Sequence, residues 1–383
     1  MSRFVPLVRM YRILTHPILS NYGGILQALA LQHTISKCDR KAAIVDYLPL
    51  WLRSHLRSKG KKEKLRDWIL LIRVLLGSAT NQLPAYIVQY LFAPFKKVFM
   101  HTWQPDMQRK HLLNETDCAY IVGSDQVWRA IYTRAIETAP FFFLDFATEA
   151  QRRRSFAYAA SFGSEEWEGT PEETTECARL LKDFKAVSVR EHSGIRICRE
   201  VFGVDAVQMP DPTLLLEPED YSRLIRRWWT RRLAQPSMAV YLLDETDEKK
   251  QIFLAAAEQA NLYLQHLTPH GDAPKAMDRI PLSIPQWLRC IRDSECVLTD
   301  SFHGCVFSII FNKSFVCLGN DARGSARFDS LLSTFGLQER LLINPSPEQV
   351  VKTLRTAIDW ERVNNIRSRE KQRALQFLKK NIE

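Results

Sequence analysis

The chain has 383 residues, 46% hydrophobic and 25% charged, the balance of a folded globular protein, which excludes wholesale disorder. At roughly 150 residues per domain, this length gives two to three domains with apolar material for a core in each. Lys and Arg number 53 against 43 Asp and Glu, a net charge of +10, so acidic partners such as phosphorylated metabolites, nucleic acid or anionic lipid all remain open.

Residues 8–14 are predicted as a strand, followed by the turn Ser20-Asn21-Tyr22-Gly23-Gly24 and an amphipathic helix over 25–32. Strand, glycine turn and helix make the opening of a βα unit. Residues 44–47 read as the next strand. Further short apolar runs at 119–122, 141–144, 155–159 and 186–189 read as strands, some separated by helix-like stretches such as 172–182. This alternation predicts a parallel, doubly wound sheet. A second series begins at Met238: strand, helix over 248–259, strand near Leu264, helix over 284–292, strand 297–299, helix over 304–311 and strand 315–318.

Between the two series lie Asp211-Pro212-Thr213 and a charged, helix-like segment over 218–232. The expected domains are therefore 1–220 and 236–345, with a basic helical tail over 347–383 that packs back across them. Residues 51–110 break the βα rhythm. They hold Arg53, Arg57, Lys59, Lys61, Lys62, Lys64 and Arg66, then Trp68-Ile69-Leu70-Leu71-Ile72, and later Lys96-Lys97. A basic, aromatic-bearing amphipathic pattern fits a membrane surface or an acidic partner; a solvated helical insertion is the plainer reading.

The first twenty residues contain no uninterrupted apolar segment and no small-residue cleavage site, so no signal peptide is expected. The longest membrane-span candidate, 68–76, is far below 18 residues and carries Arg73. Eight cysteines include no CxxC pair and no histidines at zinc-finger spacing; most sit beside apolar residues and are expected as free buried thiols.

Three segments carry chemistry. Gly123-Ser124-Asp125-Gln126-Val127-Trp128 follows a strand, where open α/β sheets bind ligands, although an ordinary βα turn would look the same. Arg190 closes the strand over 186–189 and can grip a carboxylate or phosphate, or pair with Glu191 or another local acid. In Thr299-Asp300-Ser301-Phe302-His303-Gly304 a strand ends in a polar turn, and Gly304 opens an apolar helix. Backbone N–H groups at that helix start suit an anion, and a histidine there suits proton transfer beside a phosphate.

Taken in order, Asn21-Tyr22-Gly23-Gly24-Ile25-Leu26-Gln27, Gly123 to Trp128, Ser155 to Gly163, Val189-Arg190-Glu191, Asp211-Pro212-Thr213 and Thr299 to Gly304 resemble the polysaccharide pyruvyl transferase family. The likeness runs from Tyr11 to Leu342, with 51–110 its least similar part. The resemblance implies two Rossmann-like domains facing across a cleft, as in GT-B glycosyltransferases, with a basic helical insertion in the first. It implies transfer of pyruvate from phosphoenolpyruvate to a sugar hydroxyl pair as a ketal, without a metal or a further cofactor.

By that resemblance His303 is the general acid/base, and Asp300 orients it, touches the acceptor or merely caps the helix. Arg190, Arg323, Arg327, Ser301 and Gly304 hold the donor, with Arg323 ranked ahead of Arg327 by spacing. Asn21, Tyr22, Ser124, Asp125 and Gln126 meet the acceptor. Two positions depart from family patterns: Ser301 stands where some branches carry Arg, and Arg129 follows the tryptophan where relatives carry Asn. The implied acceptor is a lipid-linked saccharide of cell-surface polysaccharide synthesis, met in the cytoplasm or on the inner face of the cell membrane through residues 51–97. Two rival readings stay open, a nucleotide-sugar glycosyltransferase of the same fold and a non-catalytic membrane scaffold; nucleic acid is not an expected partner.

Overall fold

A computed structural model of the chain describes residue 8 and residues 10–47, 85–103, 118–269, 279–319 and 326–382. Among them, 10–47, 95–103, 118–215 and 368–382 form one compact unit, and 85–94, 216–269, 279–319 and 326–367 a second. The first unit is built on strands β1 (Met10–Leu14), β2 (Ala42–Val45), β3 (Thr102–Trp103), β4 (Cys118–Val122), β5 (Phe156–Ala160), β6 (Ala186–Val189) and β7 (Val207–Gln208). They pair in the order β3-β2-β1-β4-β5-β6-β7, every neighbour parallel. β4 and β5 are buried along their whole length, which is why they read as unbroken apolar runs and not as alternating ones.

The crossovers are α1 (Tyr22–Ser36), α2 (Ala85–Phe99), α3 (Ala130–Ile136), α4 (Glu149–Arg152), α5 (Pro171–Leu181) and α6 (His192–Glu200). α5 starts on a capping box in which the Thr170 and Glu173 side chains satisfy each other's backbone N–H groups, with Pro171 in its first turn.

One expected strand is absent. Residues 141–144 belong to a 3₁₀ turn over Ala139–Phe143, with Pro140 near its start and Leu144 left-handed at its end (φ 63°). A run of phenylalanines satisfies strand and buried-turn patterns alike. Here the three rings need three different neighbours: Phe141 packs on Tyr47, Phe142 on His16 and Phe143 on Trp128. A strand would send alternate rings to opposite faces.

The second unit holds β8 (Ser237–Tyr241), β9 (Tyr263–His266), β10 (Cys296–Thr299), β11 (Ser314–Leu318) and β12 (Leu341–Leu342), in the order β12-β11-β10-β8-β9 and again all parallel. Its helices are α7 (Pro218–Arg226), α8 (Asp247–Ala260), α9 (Ile284–Asp293), α10 (Phe302–Ile310), α11 (Ala326–Phe335) and α12 (Pro347–Arg355). The last helix, α13 (Trp360–Asn381), ends in the first unit, where Phe377 packs edge-on against Phe156. Each unit is thus a Rossmann-like α/β layer structure. Of the basic insertion, residues 51–84 and 104–110 lie outside the described residues; 85–99 are helical.

No helix among the described residues is long and apolar enough to cross a membrane. All eight cysteines are free thiols, seven of them buried; burial pushes Cys290 up to about 11. No described group of three His, Cys, Asp or Glu side chains is placed to hold a metal ion.

The strand orders fix where chemistry can sit. In the first sheet the chain runs outward from β1 through β2 to β3, then restarts with β4 on the other side of β1. In the second it runs from β8 to β9, then restarts with β10 on the other side of β8. Ligands of open α/β sheets bind outside the carboxyl ends of the strands at such reversals. Candidate residues follow β1, β4 and β10 at these reversals, while Arg190 follows β6 and Arg327 comes after β11.

Candidate functional site

In the second unit, β10 ends at Thr299. Its hydroxyl donates to the Tyr241 carbonyl (2.7 Å) and accepts from the Ser301 N–H (3.0 Å), which turns the chain sharply into α10. Ser301 is the N-cap residue, and its side chain makes no capping hydrogen bond. A Cβ on Gly304 would stand 2.2 Å from Thr299 Oγ1, so only glycine lets the helix start so close to the strand end. The N–H groups of this first turn that have no intrahelical acceptor carry partial positive charge.

His303 occupies the second position of α10 and is buried, its ring 5.4 Å from Phe302 and perpendicular to it. Phe302 also faces Phe328 of α11 at 6.4 Å. The Arg327 guanidinium lies 5.9 Å from the centroid of each of those rings. The imidazole and a guanidinium are therefore held against the same phenylalanine. Arg323 lies outside the described residues.

Asp300 is spent on the neighbouring strand. Its carboxylate accepts from the N–H groups of Leu243 (2.6 Å) and Asp244 (3.1 Å) and from Lys249 Nζ (2.7 Å), which also donates to the Asp244 carbonyl. It ties the turn after β8 to the turn after β10, across the reversal of strand order, and retains an ammonium there. The cap is Ser301, not Asp300.

In the first unit, β1 and β4 end side by side, Leu14 opposite Val122. Thr15 Oγ1 donates to the Ser124 carbonyl (3.0 Å), and Gln27 of α1 closes the ring by donating to Thr15 Oγ1 (2.9 Å) and accepting from the Ser124 N–H (3.1 Å). Ser124 Oγ donates to the Ala159 carbonyl. Ser124 is fully buried scaffold. Gly123 has φ +119°, and a Cβ there would lie 2.3 Å from the Tyr158 carbonyl oxygen.

Asp125 adopts a left-handed backbone (φ 69°), tolerated by aspartate better than by most residues. Its carboxylate accepts from the Gln126 N–H, and Oδ2 lies 3.3 Å from where a Gly24 Cβ would be. That places the negative charge at the first turn of α1, where Asn21 Oδ1 caps the helix at Gly24 N. Gln126 Oε1 accepts from Arg129 Nη1 (3.3 Å) and overlies Gly163.

Arg190 follows β6, with its N–H on the Ala160 carbonyl and Nη1 on Asp211 Oδ2 at 2.9 Å. The two side chains are 2% and 0% exposed. Asp211 Oδ1 takes both the N–H and the hydroxyl of Thr213. Glu191 turns away and accepts from Phe162 N, Gly163 N and Ser161 Oγ. The local acid for Arg190 is thus Asp211, not Glu191.

His16 was not among the residues the sequence singled out. It follows Thr15 at the end of β1, its ring edge-on to Phe142 at 5.5 Å. Burial depresses its pKa below the ordinary 6.5; the Asp125 carboxylate opposes that, the Arg190 charge adds to it, and a hydrogen bond to the Gln126 main chain opposes it. Nε2 is buried with no hydrogen-bond partner among the described residues. His16, Asp125, Gln126 and Arg190 thus form one charged cluster at the carboxyl ends of β1, β4 and β6, and Asn21 stays exposed at the start of α1. Asp211 and Lys249 were missed as well, although Asp211 opens a motif the sequence had marked.

The model of one protein family, polysaccharide pyruvyl transferase, matches residues 21–322. The chain belongs to that family. No curated protein matches it. Among solved structures it is similar to the spinosyn forosaminyltransferase SpnP, at 10% identity and TM-score 0.44, over 96% of this chain and 95% of that one. It is similar to the glycosyltransferase SnogD from Streptomyces nogalater at 11% identity and TM-score 0.40, over 96% and 98%. The ADP-heptose LPS heptosyltransferase II of E. coli gives 12% identity and TM-score 0.37, over 94% and 99%.

Within this pyruvyl transferase family member, the two departures have definite positions. Ser301, lacking a cation, is the N-cap residue of α10, its carbonyl accepting from the Cys305 N–H (3.1 Å) and its side chain making no capping hydrogen bond. Arg129 is buried, 3.5 Å from Glu168 and stacked 4.4 Å over Tyr132, and it positions Gln126 from below.

Proposed function

We propose that the chain transfers the enolpyruvyl carbons of phosphoenolpyruvate to a sugar hydroxyl pair as a cyclic ketal, with release of inorganic phosphate. One hydroxyl oxygen bonds to C2 of the donor while C3 takes a proton and becomes a methyl group. The C2–O bond to phosphate then breaks, and the second hydroxyl captures the oxocarbenium carbon. The two hydroxyl protons balance the methyl proton and the protonated phosphate. The observation that carries this reading is His303, a buried imidazole at a helix start that has no side-chain cap, with a guanidinium against the same phenylalanine ring. It supports a proton donor to C3 set beside groups that stabilise an anion.

In this reading His303 is the general acid/base, and Arg190, Arg323 and Arg327, with Ser301 and the N–H of Gly304, hold the phosphate and carboxylate. Asp300 positions the turn and Lys249 adds a cation. Asn21, Tyr22, Asp125 and Gln126 meet the acceptor, with Ser124 supporting them. The acceptor is a lipid-linked saccharide in cell-surface polysaccharide synthesis, approached from the cytoplasmic side with the basic segment 51–97 at the membrane. Phosphoenolpyruvate is a co-substrate, and no other cofactor enters the scheme. Incubation with phosphoenolpyruvate and a mixed pool of acceptor glycans is expected to release phosphate and yield pyruvylated glycan by mass spectrometry. Turnover with nucleotide sugars alone would reject the reading.

His16 suits the base that removes the first hydroxyl proton, because its lowered pKa keeps Nε2 unprotonated near neutrality. The acid limb of kcat/KM is expected below pH 6.5, and His16→Gln to remove that limb with a loss of about 10²-fold. The same depressed pKa makes the His16 contribution to stability complete above 6.5 and lost as pH falls toward its folded value. An unchanged acid limb in the variant would take His16 out of the scheme.

A further inference from the structure

The loop between α7 and β8 reads Arg226-Arg227-Trp228-Trp229-Thr230-Arg231-Arg232. Trp229 is 79% exposed, the most exposed large hydrophobic side chain among the described residues. Arg226 is paired with Glu219, whereas Arg227, Arg231 and Arg232 are exposed and have no ion pair among the described residues. One bare indole and three uncompensated guanidinium groups therefore stand within six residues, with no acidic residue between 221 and 243.

This loop is held in place. Gln286, in the first turn of α9, accepts from the Arg231 N–H (2.6 Å) and donates to the Arg231 carbonyl (3.0 Å), an amide clamp on both sides of one residue. Arg289, one turn later, donates to Thr230 Oγ1 (2.7 Å). Because the clamp uses the main chain of Arg231, the arginine side chains and the indole are left to solvent. Ordering costs for a partner are accordingly low.

We propose that this loop is a docking surface for an anionic lipid bilayer, with Trp229 entering the headgroup boundary and Arg227, Arg231 and Arg232 meeting lipid phosphates. Charge complementarity and the isolated amphipathic ring carry the choice of occupant: indole is the side chain that favours the membrane–water boundary, and guanidinium pairs with phosphate. A single-stranded nucleic acid is less well served, since successive bases need successive stacking faces and Trp228 is half-buried. The loop lies outside residues 51–97 in the sequence, and the proposal does not depend on the reaction assigned above.

The test is sedimentation of the full chain with vesicles of phosphatidylcholine alone, or mixed with phosphatidylglycerol. Binding is expected only to the anionic vesicles and is expected to weaken at high salt. Trp229→Ala should lower the partition coefficient about tenfold. Arg227→Glu/Arg231→Glu/Arg232→Glu should lower it at least about a hundredfold, at near fivefold for each cation lost. Thermal melting confirms that the variants fold, and Arg→Gln replacements at the same three positions stand in for any that do not. Equal binding to neutral vesicles, or vesicle binding unchanged in the variants, overturns the proposal. So does a loss confined to a parallel titration with a single-stranded oligonucleotide.

Discussion

Replacing His303 with Ala is expected to lower phosphate release from phosphoenolpyruvate by about 10²–10⁴-fold, the range for loss of a positioned acid/base. The helix that carries it should survive. α10 is buried from end to end, and Phe307 is fixed edge-on between Tyr221 (5.0 Å) and Trp287 (5.3 Å). The ring contact with Phe302 is among those given up, and with the rest of α10 still packed the melting temperature is expected to move by only a few degrees. His303→Gln keeps the volume and one hydrogen-bonding end but cannot cycle a proton, and it should be as slow as His303→Ala. Added imidazole should restore part of the rate to the alanine variant alone. Turnover within about threefold of the parent chain in both variants would remove His303 from the chemistry and leave it a packing residue.

Most of the frame was legible because buried parallel strands leave a plain mark: apolar runs of four or five residues, each closed by a polar turn. Thr299 to Gly304 was legible for the same reason, since one strand end, one cap and one helix start lie within six residues. What stayed hidden was assembled from separate segments. His16 stands alone in its segment and acquires meaning only when β4 returns beside β1 and brings Asp125 to it. Lys249 lies 51 residues from Asp300 and meets it because β8 and β10 are neighbours. The phenylalanine run at 141–143 misled for a different reason: ring-rich sequence states that a segment is buried, not which backbone buries it. Asp211 is intermediate, visible as a motif and silent about its partner until β6 and the 211–213 turn are set side by side.

That partnership supports the other large effect. Asp211→Ala would leave the Arg190 guanidinium charged in a site where the side chains are 2% and 0% exposed, and breaking such a pair from one side costs about 3–5 kcal/mol. It also removes the acceptor that Asp211 Oδ1 gives to the N–H and the hydroxyl of Thr213. The 3₁₀ turn over Pro212–Leu215 packs against α1, so its loosening reaches the helix that presents Asn21 and Tyr22. Urea unfolding should therefore show a lower midpoint, with Asp211→Asn less affected because the amide keeps an acceptor for Thr213. These losses alone would not separate a structural arginine from one that holds the donor. The double replacement Arg190→Met/Asp211→Leu does, because well-packed apolar residues commonly substitute for a buried ion pair with no net loss of stability. Its midpoint is expected to return close to that of the parent, while phosphate release stays depressed and the KM for phosphoenolpyruvate rises about tenfold or more, the loss expected for one charge-assisted pair. A stable double variant with an unchanged KM would make Arg190 a strut of the first sheet, and the donor would have to be held by other cations.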